Sequence, residues 1–143
     1  MLRIFLTFGT LGAFTGVGIA WSVLRIEYPT FLVTNPTDFL AIHRLQERRI
    51  LETAPILFTE LASTAALLWF APAGQRIWVA LAMLALLAAL VWGIGVQIPT
   101  HRTLDKGGFD QVRLQRMVRN EWVRFLAVSV HAIAYFVLLF DNL

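Results

Sequence analysis

Four long runs of apolar residues divide the chain, and shorter polar segments separate them. The runs cover residues 2–24, 54–71, 77–98 and 122–140. A helix needs about 20 mostly apolar residues to cross the hydrocarbon core of a bilayer. The runs are continuous rather than alternating, which favours helices over the strands of a membrane barrel. The pattern therefore predicts an all-α bundle of four transmembrane helices.

The polar segment between the first and second runs predicts an additional amphipathic helix. Asn35 is a typical helix cap, Pro36 suits the first helical position, and the acidic Asp38 follows in the first turn. Apolar residues then recur with the helical period from about Pro36 to Thr53. We expect this helix to lie between the first two spans, with Pro55 at the point where it could join the second span.

The composition agrees with a membrane protein. Hydrophobic residues make up 58% of the chain and charged residues 15%, whereas soluble domains average about 45–50% and about 25%. The mean hydropathy is +0.69. A length of 143 residues suits one integral membrane domain, residues 1–143. The absence of cysteine excludes disulfides, cysteine-ligated zinc and iron–sulfur clusters.

Basic residues are concentrated in the first and third loops. These loops hold Arg25, Arg44, Arg48, Arg49, Arg102, Lys106, Arg113, Arg116 and Arg119. Only Arg3 and Arg76 lie on the other side of the bundle. By the positive-inside rule, both basic loops are expected in the cytoplasm and both termini on the opposite side of a bacterial cytoplasmic membrane. The loops lack the pattern of a nucleic-acid-binding module, so no nucleic-acid partner is expected.

The first candidate site lies among polar residues of the basic loops. His43 and Glu47 are one helical turn apart at the centre of an apolar face, where they could share a metal or a proton. His101 would reach them only if the loop helix folds against the mouth of the bundle, where Glu27 and Tyr28 would join it. We expect His43, Glu47 and His101 to be candidate ligands of a transition metal, or the two histidines to be catalytic. A purely structural His–Glu hydrogen bond stays open as the alternative.

A second polar group interrupts the apolar runs themselves. Asn120, Arg124 and His131 share one face of the fourth helix by the helical period. Charged residues inside spans usually face the bundle interior. If the second and fourth helices end level, Glu60 lies beside about position 130, which predicts a buried Glu60–His131 pair. Asn120 and Arg124 are candidates for holding an oxyanion of a substrate.

Small residues in the first run predict close helix packing. Gly12, Gly16 and Ala20 recur every four residues. Small residues at this spacing allow helix backbones to approach one another in lipid. Ala85, Ala89 and Gly93 repeat in the same way in the third run. We therefore expect a compact four-helix bundle.

Short motifs across most of the chain resemble the DUF1772 group, also called anthrone-oxygenase-like, of small four-helix membrane proteins. The matching pieces are Tyr28-Pro29, His43-x-x-x-Glu47-Arg48, Pro55 with Glu60, Gln97-x-Pro99-x-His101 and Asn120-x-Trp122-x-Arg124. In bacterial members the position of Glu47 is often a histidine, and either side chain can bind a metal. The resemblance implies polar groups gathered at one end of the bundle. It also implies a link to the oxygenation of anthrones to anthraquinones, with which fungal members are associated.

The leading functional hypothesis is a membrane oxidoreductase of oxygenase type. It would act on a hydrophobic, aromatic substrate at the cytoplasmic end of the bundle. The alternative is a non-enzymatic membrane protein, either an accessory subunit of a larger complex or a binder of lipid or quinone. The expected partners are membrane lipid and a hydrophobic small molecule, and self-association stays open. A transporter is least favoured, because the pattern contains no broken-helix repeat.

Overall fold

The computed structural model describes residues 1–142 and consists of four long helices. Their bounds are Leu2–Val33 (α1), Phe39–Phe70 (α2), Ala73–Gly107 (α3) and Gln111–Phe140 (α4). Each helix is long and apolar enough to cross a membrane, and no strand occurs in the described part of the chain. The predicted all-α architecture with four long apolar helices is therefore confirmed.

Apart from Ala71, the predicted spans lie within these helices, and every helix continues beyond its apolar run at the end that carries the two basic loops. We call this the basic end of the bundle. The predicted single domain runs to residue 143, which lies outside the described residues. The predicted orientation in the membrane stays a prediction.

Helices α1 and α3 each change their winding once before the basic end. The segments are Leu2–Ser22, Val23–Glu27 and Tyr28–Val33 in α1, and Arg76–Trp92, Gly93–Gln97 and Ile98–Gly107 in most of α3. The middle segment is a π-turn in both helices, closed by a bond from the N–H of Tyr28 to Val23 and from that of Ile98 to Gly93. A proline follows immediately in each helix. Because proline has no N–H for the regular helical bond, it favours such a local widening.

The residues predicted as a separate amphipathic helix form the first part of α2. They are helical over Phe39–Leu51, turn at positions 52 and 53, and continue as Ala54–Phe70. The structure therefore does not show an extra helix beside the four long ones. Pro55 does not end the helix, because it lies in the first turn of the second segment, where its missing N–H is not needed.

The four helices pack in a ring. Helix α1 contacts both α2 and α4, while α3 packs closely against α4 and less extensively against α2. Helices α2 and α4 consequently face each other across the diagonal and run in the same direction. Helix α4 is capped by Asp110, whose side chain accepts a hydrogen bond of 2.9 Å from the backbone N–H of Arg113. This bond holds the pKa of the Asp110 carboxyl below its usual value.

Two apolar clusters stabilise the bundle at different depths. One lies toward the chain termini and contains Leu6, Ala13, Leu67, Ala71, Val79, Ala82, Ala132, Ala134, Tyr135 and Leu138. The other lies at the basic end and contains Val23, Tyr28, Phe31, Phe39, Leu104, Leu114 and Met117. The second cluster extends the core past the predicted spans, so that polar side chains of α2 and α3 can be buried there.

Candidate metal centre and adjoining cavity

Helices α2 and α3 bring His43, Glu47 and His101 together at the basic end, and we call these residues the His–Glu–His trio. Nε2 of His43 lies 2.8 Å from Nδ1 of His101, and Oε1 of Glu47 lies 3.7 Å from the same Nδ1. One donor atom from each residue lies within 4.8 Å of the other two. The condition under which His101 reaches the other two residues is therefore met, because this segment folds against the bundle mouth, and the trio could hold a metal ion.

The π-turns contribute to this convergence. Successive residues of an α-helix are rotated by about 100° around its axis, so one extra residue in a turn shifts every later side chain by a similar angle. Tyr28 directly follows the π-turn of α1, and His101 lies in the segment after the π-turn of α3. Their aromatic rings contact each other, with centroids 5.7 Å apart. Irregular turns of this kind are frequent at functional sites.

Two hydrogen bonds orient the imidazoles of the trio. Nδ1 of His43 lies 3.4 Å from Oδ1 of Asp105, and Nε2 of His101 lies 3.0 Å from the hydroxyl of Tyr28. A metal-binding histidine usually donates its second ring N–H to such a partner. Asp105 was not among the sequence-based candidates. Its position one turn after His101, on the same face of α3, would have identified it as a candidate.

Aromatic side chains keep the inner part of the trio dry. The centroid of the His43 ring lies 5.4 Å from that of Phe31 and 5.2 Å from that of Phe39, and His43 is fully buried. Glu47 and His101 are partly exposed, with 32% and 13% of their side-chain surfaces accessible. One side of the trio is therefore closed by apolar rings, while the other remains open.

The direction of each of these hydrogen bonds depends on which ring nitrogens carry protons. If His43 donates its Nδ1 proton to Asp105, its Nε2 must accept the proton of His101 Nδ1, and Tyr28 then donates to His101 Nε2. Both facing nitrogens would bind a metal once the proton of His101 moves from Nδ1 to Nε2, from which His101 would then donate to the Tyr28 hydroxyl. Two nitrogens bound to one ion with bonds of about 2.0–2.1 Å stand roughly 2.9 Å apart at an octahedral angle and roughly 3.3 Å apart at a tetrahedral angle. The observed 2.8 Å requires only a small opening, so the trio fits a metal ion.

A cavity of about 410 Å³ lies beside the trio, between all four helices. His101 belongs both to the trio and to the cavity wall. The other polar side chains on the wall include Tyr28, Gln97, Arg124 and Glu60. Most of the wall is apolar and includes Ile19, Ile50, Ile56, Leu57, Leu86, Leu90, Ile94, Ile98 and Val128. A largely apolar cavity with a few polar groups is typical of a site for a small hydrophobic ligand.

Arg124 reaches this cavity but is already paired. Its Nε donates to Oε1 of the fully buried Glu121 at 2.7 Å, and its Nη2 donates to the same oxygen. The other oxygen of Glu121 accepts a bond of 2.9 Å from Nε2 of Gln97. Sequence reasoning missed Glu121, although its spacing of three residues from Arg124 is a signal for an ion pair. Glu121 balances the positive charge of Arg124. Arg124 would therefore interact with a substrate mainly as a hydrogen-bond donor.

Asn120 contacts a neighbouring helix. Its backbone carbonyl accepts a bond of 2.9 Å from the indole N–H of Trp92 on α3. Asn120 is not among the described residues that line the cavity. Its predicted role in holding an oxyanion stays a prediction, and its observed contact is structural.

The predicted Glu60–His131 pair does not form between the described side chains. A bond of 2.9 Å between the hydroxyls of Thr64 and Tyr135 places Glu60 and His131 at similar depth, as the sequence predicts. However, Nδ1 of His131 bonds the carbonyl of Ala82 on α3 at 2.8 Å. Glu60 instead faces α1. The two residues share a depth but lie on diagonal helices and point to different neighbours.

Comparisons with known proteins do not indicate a function for this chain. No protein-family model, curated protein or solved structure matches the chain significantly. The resemblance of its short motifs to the DUF1772 group therefore stays a prediction.

Proposed function

We propose that this chain is a membrane-embedded oxidoreductase of oxygenase type that uses a metal held by the His–Glu–His trio. The observation that carries the proposal is the position of His101. Its Nδ1 belongs to the trio, and its side chain also lines the largely apolar cavity. A substrate in the cavity would therefore lie directly beside the metal.

The donor set suits this chemistry. Two histidines and one carboxylate, with further coordination positions left open, are the ligands of non-haem Fe(II) oxygenases. When bound, such a metal would supply the activation of dioxygen. His43, Glu47 and His101 would hold it, while Asp105 and Tyr28 would orient the two imidazoles through the observed hydrogen bonds. The chain offers this set without any cysteine.

The proposed reaction is the oxygenation of a hydrophobic ring system such as an anthrone. In this reaction the two C–H bonds of the methylene carbon break, and one oxygen atom of O2 forms a new carbonyl there. The second oxygen atom takes the two hydrogens and leaves as water. The reaction balances without an external reductant. Arg124 would donate a hydrogen bond to the existing carbonyl of the substrate, and the apolar wall would hold the rings and exclude water.

The substrate would enter from the lipid between α2 and α3. Helix α3 contacts α2 less extensively than it contacts α4. Ile94 and Ile98 on α3 line the cavity and are also 64% and 44% exposed. An opening lined by isoleucine suits an apolar molecule that is dissolved in the membrane.

The test is dioxygen-dependent oxidation of anthrone by purified, Fe(II)-loaded protein. The expected result is equal consumption of dioxygen and formation of anthraquinone. His43→Ala and His101→Ala should abolish this activity. Arg49→Ala, which changes an exposed residue of the same segment, serves as the matched control and should leave it unchanged. Full activity in both histidine variants would overturn the assignment.

The cavity alone would serve the alternative function, a non-enzymatic binder of lipid or quinone, equally well. The trio beside the cavity is what favours the oxidoreductase. Quinone binding that needs no metal and survives His43→Ala, together with no oxidation by the loaded protein, would favour the binder.

A further inference from the structure

Glu60 is a buried carboxyl in the cavity wall without a partner from the chain. The residue is 5% exposed and lines the cavity. Within the described residues, no side chain forms an ion pair with it. Apart from the backbone bonds of its helix, the one hydrogen bond of this residue within the described part of the chain runs from the Thr64 hydroxyl to its backbone carbonyl, so the carboxyl itself accepts none. The carboxyl oxygens do not belong to the fully enclosed unpartnered atoms of the described residues, so they open onto the cavity. Because polar groups in an apolar surrounding are nearly always hydrogen-bonded, the partner of this carboxyl is expected from inside the cavity rather than from the chain.

Helix α1 provides space for the Glu60 side chain. A Cβ atom on Gly12 would lie 2.7 Å from Cγ of Glu60, and one on Gly16 would lie 2.8 Å from its Oε1. A Cβ atom on Gly18, in the same helix, would meet nothing within 4 Å. The two glycines therefore do more than permit close helix packing, because they form a notch that holds this carboxyl at the cavity. We call Gly12 and Gly16 the glycine notch.

The opposite end of the cavity carries a hydrogen-bond donor. Arg124 uses its Nε and Nη2 for Glu121, and its other N–H groups have no partner within the described residues. Glu60 lies level with about position 131 of α4, as the Thr64–Tyr135 bond indicates. Arg124 is seven residues nearer the basic end, which is about 10 Å at a rise of ~1.5 Å per residue. The cavity thus has a donor near the trio, an acceptor about 10 Å deeper, and apolar walls between them.

We propose that Glu60 is a ligand-recognition residue that accepts a hydrogen bond from a hydroxyl at the far end of an elongated ligand. The near-end oxygen of that ligand lies at Arg124 and His101. The ligand class is therefore an apolar molecule about 10 Å long with oxygen substituents at both ends. A carboxyl can accept this bond in either protonation state. The inference rests on the proposed function for the role of the cavity as the substrate site, but it does not require the metal.

The test compares two probes that differ by one hydroxyl. The probe 4,4′-dihydroxybiphenyl carries hydroxyls at both ends, and 4-hydroxybiphenyl carries one. Binding of each to the metal-free full chain in detergent is measured by calorimetry and corrected for uptake by empty micelles. The wild-type protein should prefer the dihydroxy probe by about tenfold, the contribution typical of one hydrogen bond to a carboxylate. Glu60→Leu should remove this preference, whereas Glu60→Gln should keep part of it, because the amide oxygen still accepts.

The glycine notch gives an independent variant that keeps the carboxyl. Gly16→Ala should displace the Glu60 side chain and reduce the preference several-fold, while the matched variant Gly18→Ala should behave like the wild type. This pair keeps the test decisive if Glu60→Leu does not fold. Equal binding of both probes by the wild type, an unchanged preference in Glu60→Leu, or equal behaviour of the two glycine variants would overturn the proposal.

The outcome is separable from that of the proposed function. A Glu60-dependent preference in a protein that never oxidises anthrone would refute the oxygenase and leave this recognition site standing. Conversely, metal-dependent oxidation with no influence of Glu60 on binding would refute the recognition site alone.

Discussion

The substitution Asp105→Asn tests whether the hydrogen bond to His43 prepares the trio for a metal. Asp105 accepts from Nδ1 of His43 at 3.4 Å and so directs Nε2 toward His101. Asparagine keeps the shape and one acceptor oxygen but removes the charge. Asp105 also forms an ion pair with Arg44 at 3.4 Å, but this guanidinium is 59% exposed, so the pair contributes little.

The expected loss of metal affinity follows from this geometry. Removing a partner of a metal-binding histidine typically weakens binding by 10–100-fold. The bond to His43 is long, and Asp105 is 32% exposed, so we expect the lower end of that range. A change of about tenfold corresponds to about 1.4 kcal/mol.

The assay is a competition titration of Co(II) or Fe(II) between the detergent-purified protein and a chelating dye. Asp38→Asn is the matched control, because it removes the same charge from an exposed residue at the start of α2. Its dissociation constant should equal that of the wild type. Equal affinity in Asp105→Asn and the wild type, or an equal loss in both variants, would refute the assigned role of Asp105.

Three further predictions concern the same structure. Metal affinity should fall as the pH is lowered from 8 to 5, because protons compete with the metal for imidazole and carboxylate donors, and a flat profile would contradict a histidine-based site. Glu121→Gln should lower the free energy of unfolding in detergent by about 3–5 kcal/mol, because it leaves the guanidinium of Arg124 without its buried counter-charge. A loss below about 1 kcal/mol would show that the ion pair is not needed for stability. Thr64→Val should cost about 1 kcal/mol in the same unfolding assay, because the Tyr135 hydroxyl loses its partner, and an unchanged stability would argue against that bond.

The architecture was predictable because it depends on local properties of the chain. A run of about 20 apolar residues forms a helix in a membrane whatever its neighbours are. The first part of α2 was harder to assign, since a proline can either separate two helices or begin the second segment of one. At Pro55 the structure shows the second case, and the sequence contains no signal that distinguishes them.

The trio was predictable only in part. The spacing of His43 and Glu47 places both on one helix face, which is a local property. The approach of His101 depends on how the beginning of α2 packs against the end of α3, and that is decided by the apolar cluster at the basic end. Asp105 could have been found by applying the same one-turn spacing to His101.

The structure does not show the predicted contact between Glu60 and His131, and the reason is a different one. The helical rise predicts the depth of a side chain correctly, but the neighbour toward which it points depends on the order of helices in the ring. Glu60 faces the glycine notch on α1, whereas His131 faces Ala82 on α3. The depth of each side chain could therefore be predicted from the sequence, but the helix that it faces could not.

The metal content of the purified chain shows whether the His–Glu–His trio binds a metal ion. The protein, purified in detergent and incubated with Fe(II) without oxygen, is freed of excess metal and analysed by mass spectrometry of its elements. We expect one metal ion per chain in the wild type and in Arg49→Ala, and none above background in His43→Ala and His101→Ala. A wild-type protein that retains no metal, or histidine variants that retain a full equivalent, would contradict the account.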